Sequence, residues 1–215
     1  MTQCGRGQRG PVSLRERKKA RTRASLREHA LRLFREQGYQ ATTVEQIAAA
    51  AEVSPSTFFR YFPTKEDIVL QDDMDTRMME AFARQPAGLA PIPAVRAAVR
   101  ESWAEFTEAE WELLRQGSTL SLQVPEIRSR MMNEVARSAS VITSALAERT
   151  GRAPDDLRLR VLAGAIIGVM MTVFLPEKLA TETGPADVDY QWMGPDSVNR
   201  IDEALAFLEA GLPLD

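Results

Sequence analysis

The sequence predicts an all-α chain in two parts: a small, basic N-terminal unit of three helices and a larger, acidic helical unit after it. Apolar residues recur at helical spacing in segment after segment, with no convincing strand pattern or internal repeat. Charge is sharply partitioned. Residues 1–65 hold 13 Lys and Arg against 5 Asp and Glu, a balance of +8, while the rest of the 215-residue chain holds 14 against 25, a balance of −11. Turn-forming residues also cluster, above all from Gln85 to Pro93, where Pro and Gly end one helical segment before the next begins.

Hydrophobic residues at 44% and charged residues at 27% match a folded globular chain better than a disordered or membrane one, so a cytoplasmic protein with no membrane partner is expected. Residues 1–13 read as a flexible tail. Its Cys4 is the one cysteine of the chain and cannot form an internal disulfide, and the tail lacks the apolar run of a signal peptide. The most apolar stretch, Val161 to Leu175, is 15 residues long, short of the ~18–20 that span a bilayer, and reads as a buried helix.

The first helix is expected from about Leu14 to Gln37. Leu26, Ala30, Leu33 and Phe34 line one face, and Gly38 ends it by accepting a positive φ. The other face carries Arg15, Arg17, Lys18, Lys19, Arg21, Arg23 and Arg27, with Glu16 among them, which points to a phosphate-facing surface. Thr43 then caps a short helix with Gln46 at its third position, a capping box, and Val44, Ile47 and Ala48 form its apolar side. After a break at Glu52 and Val53, Ser54 caps a second short helix with Pro55 at its first position, where the missing N–H is harmless. Pro63 stops it. Two short helices around a tight turn, the second opening on small polar side chains, make a helix-turn-helix; Phe58 and Phe62 anchor the second helix from behind.

The stretch Ala41 to Lys65, preceded by a helix ending Phe34-Arg35-Glu36-Gln37-Gly38-Tyr39, closely resembles the DNA-binding domain of the TetR family of bacterial regulators. The resemblance covers roughly residues 15–70. It implies that the first helix, with Arg21 on its basic face, and the Thr42-Thr43 start of the second approach the DNA backbone. It also implies that Ser54, Pro55, Ser56 and Thr57 open the base-reading helix, and that Tyr61 and Lys65 hold phosphates. Phe59 stands where the family usually has Tyr, so its ring can touch a thymine methyl but has no hydroxyl to offer.

Residues 14–65 are therefore expected to be the DNA-binding domain and residues 66–215 a helical ligand-binding and dimerisation domain. Its helices are expected at Glu66–Arg84, Ala94–Thr107, Glu110–Leu122, Pro125–Thr150, Asp155–Leu175 and Ser197–Gly211, with Asp155 and Ser197 as caps and Gly151 and Gly211 as stops. The family resemblance implies a homodimer joined through the last two long helices, a near-palindromic operator and a small apolar effector inside the body. Gly164 and Gly168 offer a flat surface for close helix approach. Candidate effector contacts are Trp103, Phe106, Leu120, Met131, Val135, Met170 and Phe174, with Trp111, Met132, Met171 and Trp192 as further apolar or aromatic candidates. Met-rich helices adapt to long, irregular apolar molecules. A weaker similarity, at Leu122 to Arg128 and Leu208 to Pro213, points to acyl-CoA-like effectors, for whose phosphorylated head Arg96, Arg100, Arg115 or Arg128 could serve.

Catalysis finds little support. His29 is the one imidazole, no Cys/His cluster suggests a metal, no Gly-rich loop could cradle phosphate, and no cofactor is expected. A second alternative, an interaction protein that keeps the head as a fold without specific DNA binding, is opposed by the basic first helix and the intact Ser54 to Lys65 stretch.

Overall fold

The computed structural model describes residues 13–70, 74–104, 106–174 and 193–213, without the side chains of Glu16 and Met132. Cys4 and its tail, Leu175 and Trp192 lie outside the described residues. The described chain is all-α and divides after Ile68 into two compact units.

In the first unit, α1 (Leu14–Gln37) ends where Gly38 turns to φ +85°. Its buried stripe is Leu26, Ala30, Leu31 and Phe34; Leu33, expected in that stripe, is only partly covered, and Leu31 takes its place. Helix α2 (Val44–Ala50), which packs on α1 and on α3, buries Ile47 and Ala48, and α3 (Pro55–Tyr61) buries Phe58, with Phe62 buried just beyond. The capping box at α2 is present: Thr43 Oγ1 accepts from Gln46 N at 3.2 Å, and Gln46 Oε1 accepts from Thr43 N at 2.9 Å. Ser54 caps α3 by accepting from Thr57 N at 3.2 Å.

The turn between α2 and α3 is a Schellman motif. Val53 N donates to Ala48 O and Glu52 N to Ala49 O, which places Glu52 at φ +55°. Glycine adopts that conformation freely, whereas a side chain with a Cβ is strained in it.

The second unit begins within the expected Glu66–Arg84 helix, which is described as α4 (Asp67–Leu70) and α5 (Met74–Arg84). There follow α6 (Pro91–Trp103), α7 (Glu108–Gln123), α8 (Pro125–Thr150), α9 (Leu157–Phe174) and α10 (Pro195–Glu209). Three boundaries differ from expectation for local reasons. The prolines at 91 and 93 sit in the first turn of α6, where a missing N–H breaks no helical bond, so the helix starts earlier than the expected Ala94. Asp156 rather than Asp155 caps the start of α9, accepting from Arg158 N at 3.0 Å. Ser197 lies inside α10 and its Oγ accepts from Gly194 N at 3.1 Å, so the helix opens two residues before it.

The core of the body gathers Phe82, Val99, Trp103, Trp111, Leu146, Ile166, Met193, Ile201 and Leu205 from α5 to α10 and the segment before α10. Arg149 of α8 closes the loop after α5 by donating to the carbonyls of Gln85, Pro86 and Leu89, its guanidinium 5.2 Å from the Phe82 ring. Helix α9, expected to be buried, is covered on one face only. Leu159, Ala163, Ile166 and Val173 are inside, whereas Leu157 and Val161 are 67% and 63% exposed. At 18 residues it is also longer than the apolar run alone suggested, and by length and composition it could cross a membrane. Its inner face nonetheless packs on α8 and α10 within the body.

Ion pairs fasten α6 to α10. Arg96 meets both oxygens of Asp202 at 3.0 Å and Glu209 at 3.0 Å, and Arg100 adds a 2.6 Å contact to Asp202. The Arg96 hydrogen bond, reinforced by the Arg100 charge and opposed by partial burial, holds the Asp202 carboxyl below its ordinary range.

Replacing Glu52 by Gly is expected to relieve the turn by about 0.5–1 kcal/mol. Amide exchange in α2 and α3 should then slow by roughly two- to fivefold. Asp202→Asn is expected to destabilise the body by about 1–2 kcal/mol at pH 7. Because folding lowers the Asp202 pKa, its stabilisation is complete above the unfolded value of about 3.9 and is lost as pH falls toward the folded one. In denaturant titrations the gap between wild type and variant should therefore close below about pH 4.

Candidate nucleic-acid interface and effector site

Seven residues make too short a helix to be stable alone, so α3 takes its orientation from what it buries. Phe58 and Phe62 are fully enclosed, their rings 5.9 Å apart. At 3.6 residues per turn Pro55, Phe59, Ser56 and Arg60 follow one another in that order around the helix, across an arc of about 140°. All four are exposed, with Phe59 52% so and its ring braced edge-on against Phe58 at 5.4 Å. Thr57 and Tyr61 flank the arc and are half-buried.

Hydroxyls at the start of α3 form a small network, with Ser54 Oγ 2.9 Å from both Ser56 Oγ and Thr57 Oγ1. Arg60 Nη2 donates to Thr57 Oγ1 at 3.1 Å, which fixes a guanidinium beside the small polar side chains. Arg60 was not among the residues expected at the site. Its spacing of three from Thr57 on a helix was the available signal. On α1, Arg15, Arg17, Lys18, Lys19 and Arg21 are all exposed, whereas Arg23 is drawn into the head, donating to Tyr61 O and lying 4.5 Å from the Phe62 ring. Thr43 stays exposed at its cap.

Two residues expected at phosphates have partners inside the head. Thr42 is 1% exposed; its hydroxyl donates to Gly38 O at 2.8 Å and accepts from Gln37 Nε2 at 3.1 Å, so it has no surface to offer DNA. Lys65 is partly buried. Its ammonium lies 4.0 Å from the Tyr39 ring centre and donates to the carbonyls of Tyr39 at 2.9 Å and Thr42 at 3.0 Å. Tyr39 in turn donates to Glu66 at 2.6 Å, so the residues following α3 are bound to the turn between α1 and α2.

In the body, four rings from α6, α7, α9 and the loop after α6 form one cluster. Trp103 stacks on Trp111 at 4.8 Å and on Phe174 at 5.7 Å, and Phe106 touches Trp103 and Trp111 at 5.0 and 5.2 Å. Met131 and Met170 pack partly buried against the same core. Leu120 and Val135 are partly buried but are not among the described residues packed on that core. The Trp103 Nε1 atom is enclosed and has no hydrogen-bond partner among the described residues, a state that typically costs about 1–3 kcal/mol. None of the arginines considered for a phosphorylated head is idle. Arg96 and Arg100 are paired with Asp202, Arg115 with Glu108, Glu112 and Met193 O, and Arg128 with Leu122 O. No group of His, Cys, Asp and Glu among the described residues could hold a metal ion.

Residues 26–71 match the family described as bacterial regulatory proteins, tetR family, and residues 89–213 match the MftR C-terminal domain. Among curated relatives, the HTH-type transcriptional regulator TcmR of Streptomyces glaucescens is 45% identical over 48% of this chain and 46% of its own length, so the chain spans just under half of that protein. The putative mycofactocin biosynthesis transcriptional regulator MftR of Mycobacterium tuberculosis is 26% identical over 74% of this chain and 80% of its own. Among solved structures, the repressor FadR of Thermus thermophilus, in complex with lauroyl-CoA, superposes with a TM-score of 0.53 at 27% identity, covering 90% of this chain and 96% of that one.

Lys65→Ala is expected to loosen the head by about 1–3 kcal/mol, seen as faster amide exchange in residues 38–44 of the DNA-free protein. A lysine that merely touched phosphate would leave that exchange unchanged.

Proposed function

The chain belongs to the TetR family of transcriptional regulators, and from that premise we propose that it is a dimeric repressor released from a near-palindromic operator by an acyl-CoA-like effector. The observation that carries the DNA half of this proposal is the exposed arc of Pro55, Ser56, Phe59 and Arg60, flanked by Thr57, within a stretch, residues 1–65, whose charge balance is +8. Small residues let the helix start approach base edges in a major groove. Phe59 supplies an apolar surface for a thymine methyl, and Arg60 a fork of donors for guanine or phosphate. Arg21 and Thr43, with Tyr61 at the edge of the arc, hold the backbone and set the register.

Dimerisation is supported by the outer face of α9. Leu157, Val161, Gly164 and Gly168 are exposed along it, and a Cβ built on either glycine would meet nothing. On α10, Phe207 is exposed as well. Apolar, flat helix faces left uncovered by their own chain fit a second copy, and two-fold pairing presents two heads to two half-sites about 34–36 Å apart.

The effector class is supported by the likeness to the Thermus thermophilus repressor solved with lauroyl-CoA, together with the aromatic cluster and the soft wall of Met131 and Met170. An effector that fits the body of one dimer geometry better than another shifts the population, and the 66–84 segment joining the two units is the covalent route to the heads.

Operator DNA selected from the region upstream of the chain's own gene should bind sequence-selectively and lose affinity steeply with salt. Lauroyl-CoA should weaken that binding by roughly 5–150-fold, and the operator should weaken lauroyl-CoA binding by the same factor. Unequal factors would rule out the linkage. Within the operator, exchanging one contacted thymine for deoxyuridine should weaken wild type by about threefold. Phe59→Ala should not notice the change, and sensitivity retained in that variant would remove Phe59 from the site.

A further inference from the structure

The indole of Trp103 is held on its faces and left unanswered at its polar edge. Trp111 and Phe174 both lie nearly parallel to it, with interplanar angles of 27° and 19°, and Phe106 closes on it at 5.0 Å. Only 5% of the residue is exposed, and its N–H finds no acceptor among the described residues. Burying a donor without a partner is rare in folded chains and demands a reason. Packing does not supply one, since a phenyl ring would continue the stack without the penalty. The hydroxyl of the preceding residue is committed elsewhere, Ser102 donating to Val99 O at 3.1 Å. An indole N–H can only donate, so whatever answers it must bring an acceptor. It must also be mostly apolar, since Phe106 and Phe174 lie against the indole and Met131 and Met170 pack on the same core.

We propose that the Trp103 N–H is the hydrogen-bond donor that reads the acyl carbonyl oxygen of the effector, while the surrounding rings and methionines take its hydrocarbon chain. The inference rests on the acyl effector proposed above and adds a specific demand: the carbonyl, rather than chain length alone, is recognised. The group is uncharged, so recognition at this point is independent of the phosphorylated head.

The test compares lauroyl-CoA with S-dodecyl-CoA, a thioether with the same chain and head but no carbonyl oxygen, by calorimetric titration of the full-length protein. Wild type should bind lauroyl-CoA about three- to tenfold more tightly, the range of one hydrogen bond. Trp103→Phe should bind the two equally. A purely structural Trp103 would instead weaken both in proportion and leave their ratio intact, which would overturn the inference. Because the variant could fail to fold, the indole N–H resonance of Trp103 in wild type, identified by elimination with Trp111→Phe and Trp192→Phe, gives a second measurement. It should move downfield with lauroyl-CoA and stay in place with the thioether. Movement with both, or with neither while lauroyl-CoA binds, assigns the N–H to a trapped water or to no ligand and overturns the inference alone. Absence of lauroyl-CoA binding by wild type removes the acyl effector itself.

Discussion

The head depends on one ammonium. The α2 and α3 helices have seven residues each, too few to persist on their own backbone hydrogen bonds, so their placement must come from outside. Apolar burial of Ile47, Phe58 and Phe62 supplies the attraction but little direction. Lys65 supplies direction. From beyond α3 it reaches back across more than twenty residues to two carbonyls of the turn that precedes α2, and lies over the Tyr39 ring as it does so. The cap at Thr43 and the outward arc of α3 are thereby held with respect to α1. The exposed side chains of the arc have few bonds of their own and inherit their position from this closure.

The body solves a different problem. Its helices are long enough to hold their own shape, but they carry many charges, and these are spent within the fold. Arg96, Arg115 and Arg149 each bridge elements far apart in sequence, using several donors at once as only a guanidinium can. With the cations so engaged, the aromatic cluster around Trp103 is left as an almost purely apolar interior. At its edge the Arg77 guanidinium, paired with Glu110, lies 5.5 Å from the Phe106 ring, and within it the Trp103 N–H has no partner among the described residues.

What the sequence made legible was what local chemistry encodes. Thr43 with Gln46, Ser54 with Pro55, and Gly38, Gly151 and Gly211 marked helix ends because each acts within a few residues of itself. The internal partners of Thr42 and Lys65 were not legible for the opposite reason: they lie in backbone that the chain brings near only by folding, and a sequence displays the charge of a lysine but not the carbonyls awaiting it. The start of α6 was hidden because prolines in a first turn look like prolines in a loop. Of the apolar candidates in the body, those that met around Trp103 came from different helices, and periodicity along one helix could not separate them from Leu120 and Val135.

The division of charge between the two parts of the chain bears on how such a regulator would search. With a total of −3, the protein at long range is weakly repelled by a polyanion, and salt at physiological strength erases even that beyond about 8 Å. Close in, the +8 and −11 ends respond with opposite signs. A basic stretch near a polyanion would be attracted and an acidic one repelled. The acidic residues after 65 would thus add repulsion rather than grip, leaving attraction to a double helix to the basic stretch before them.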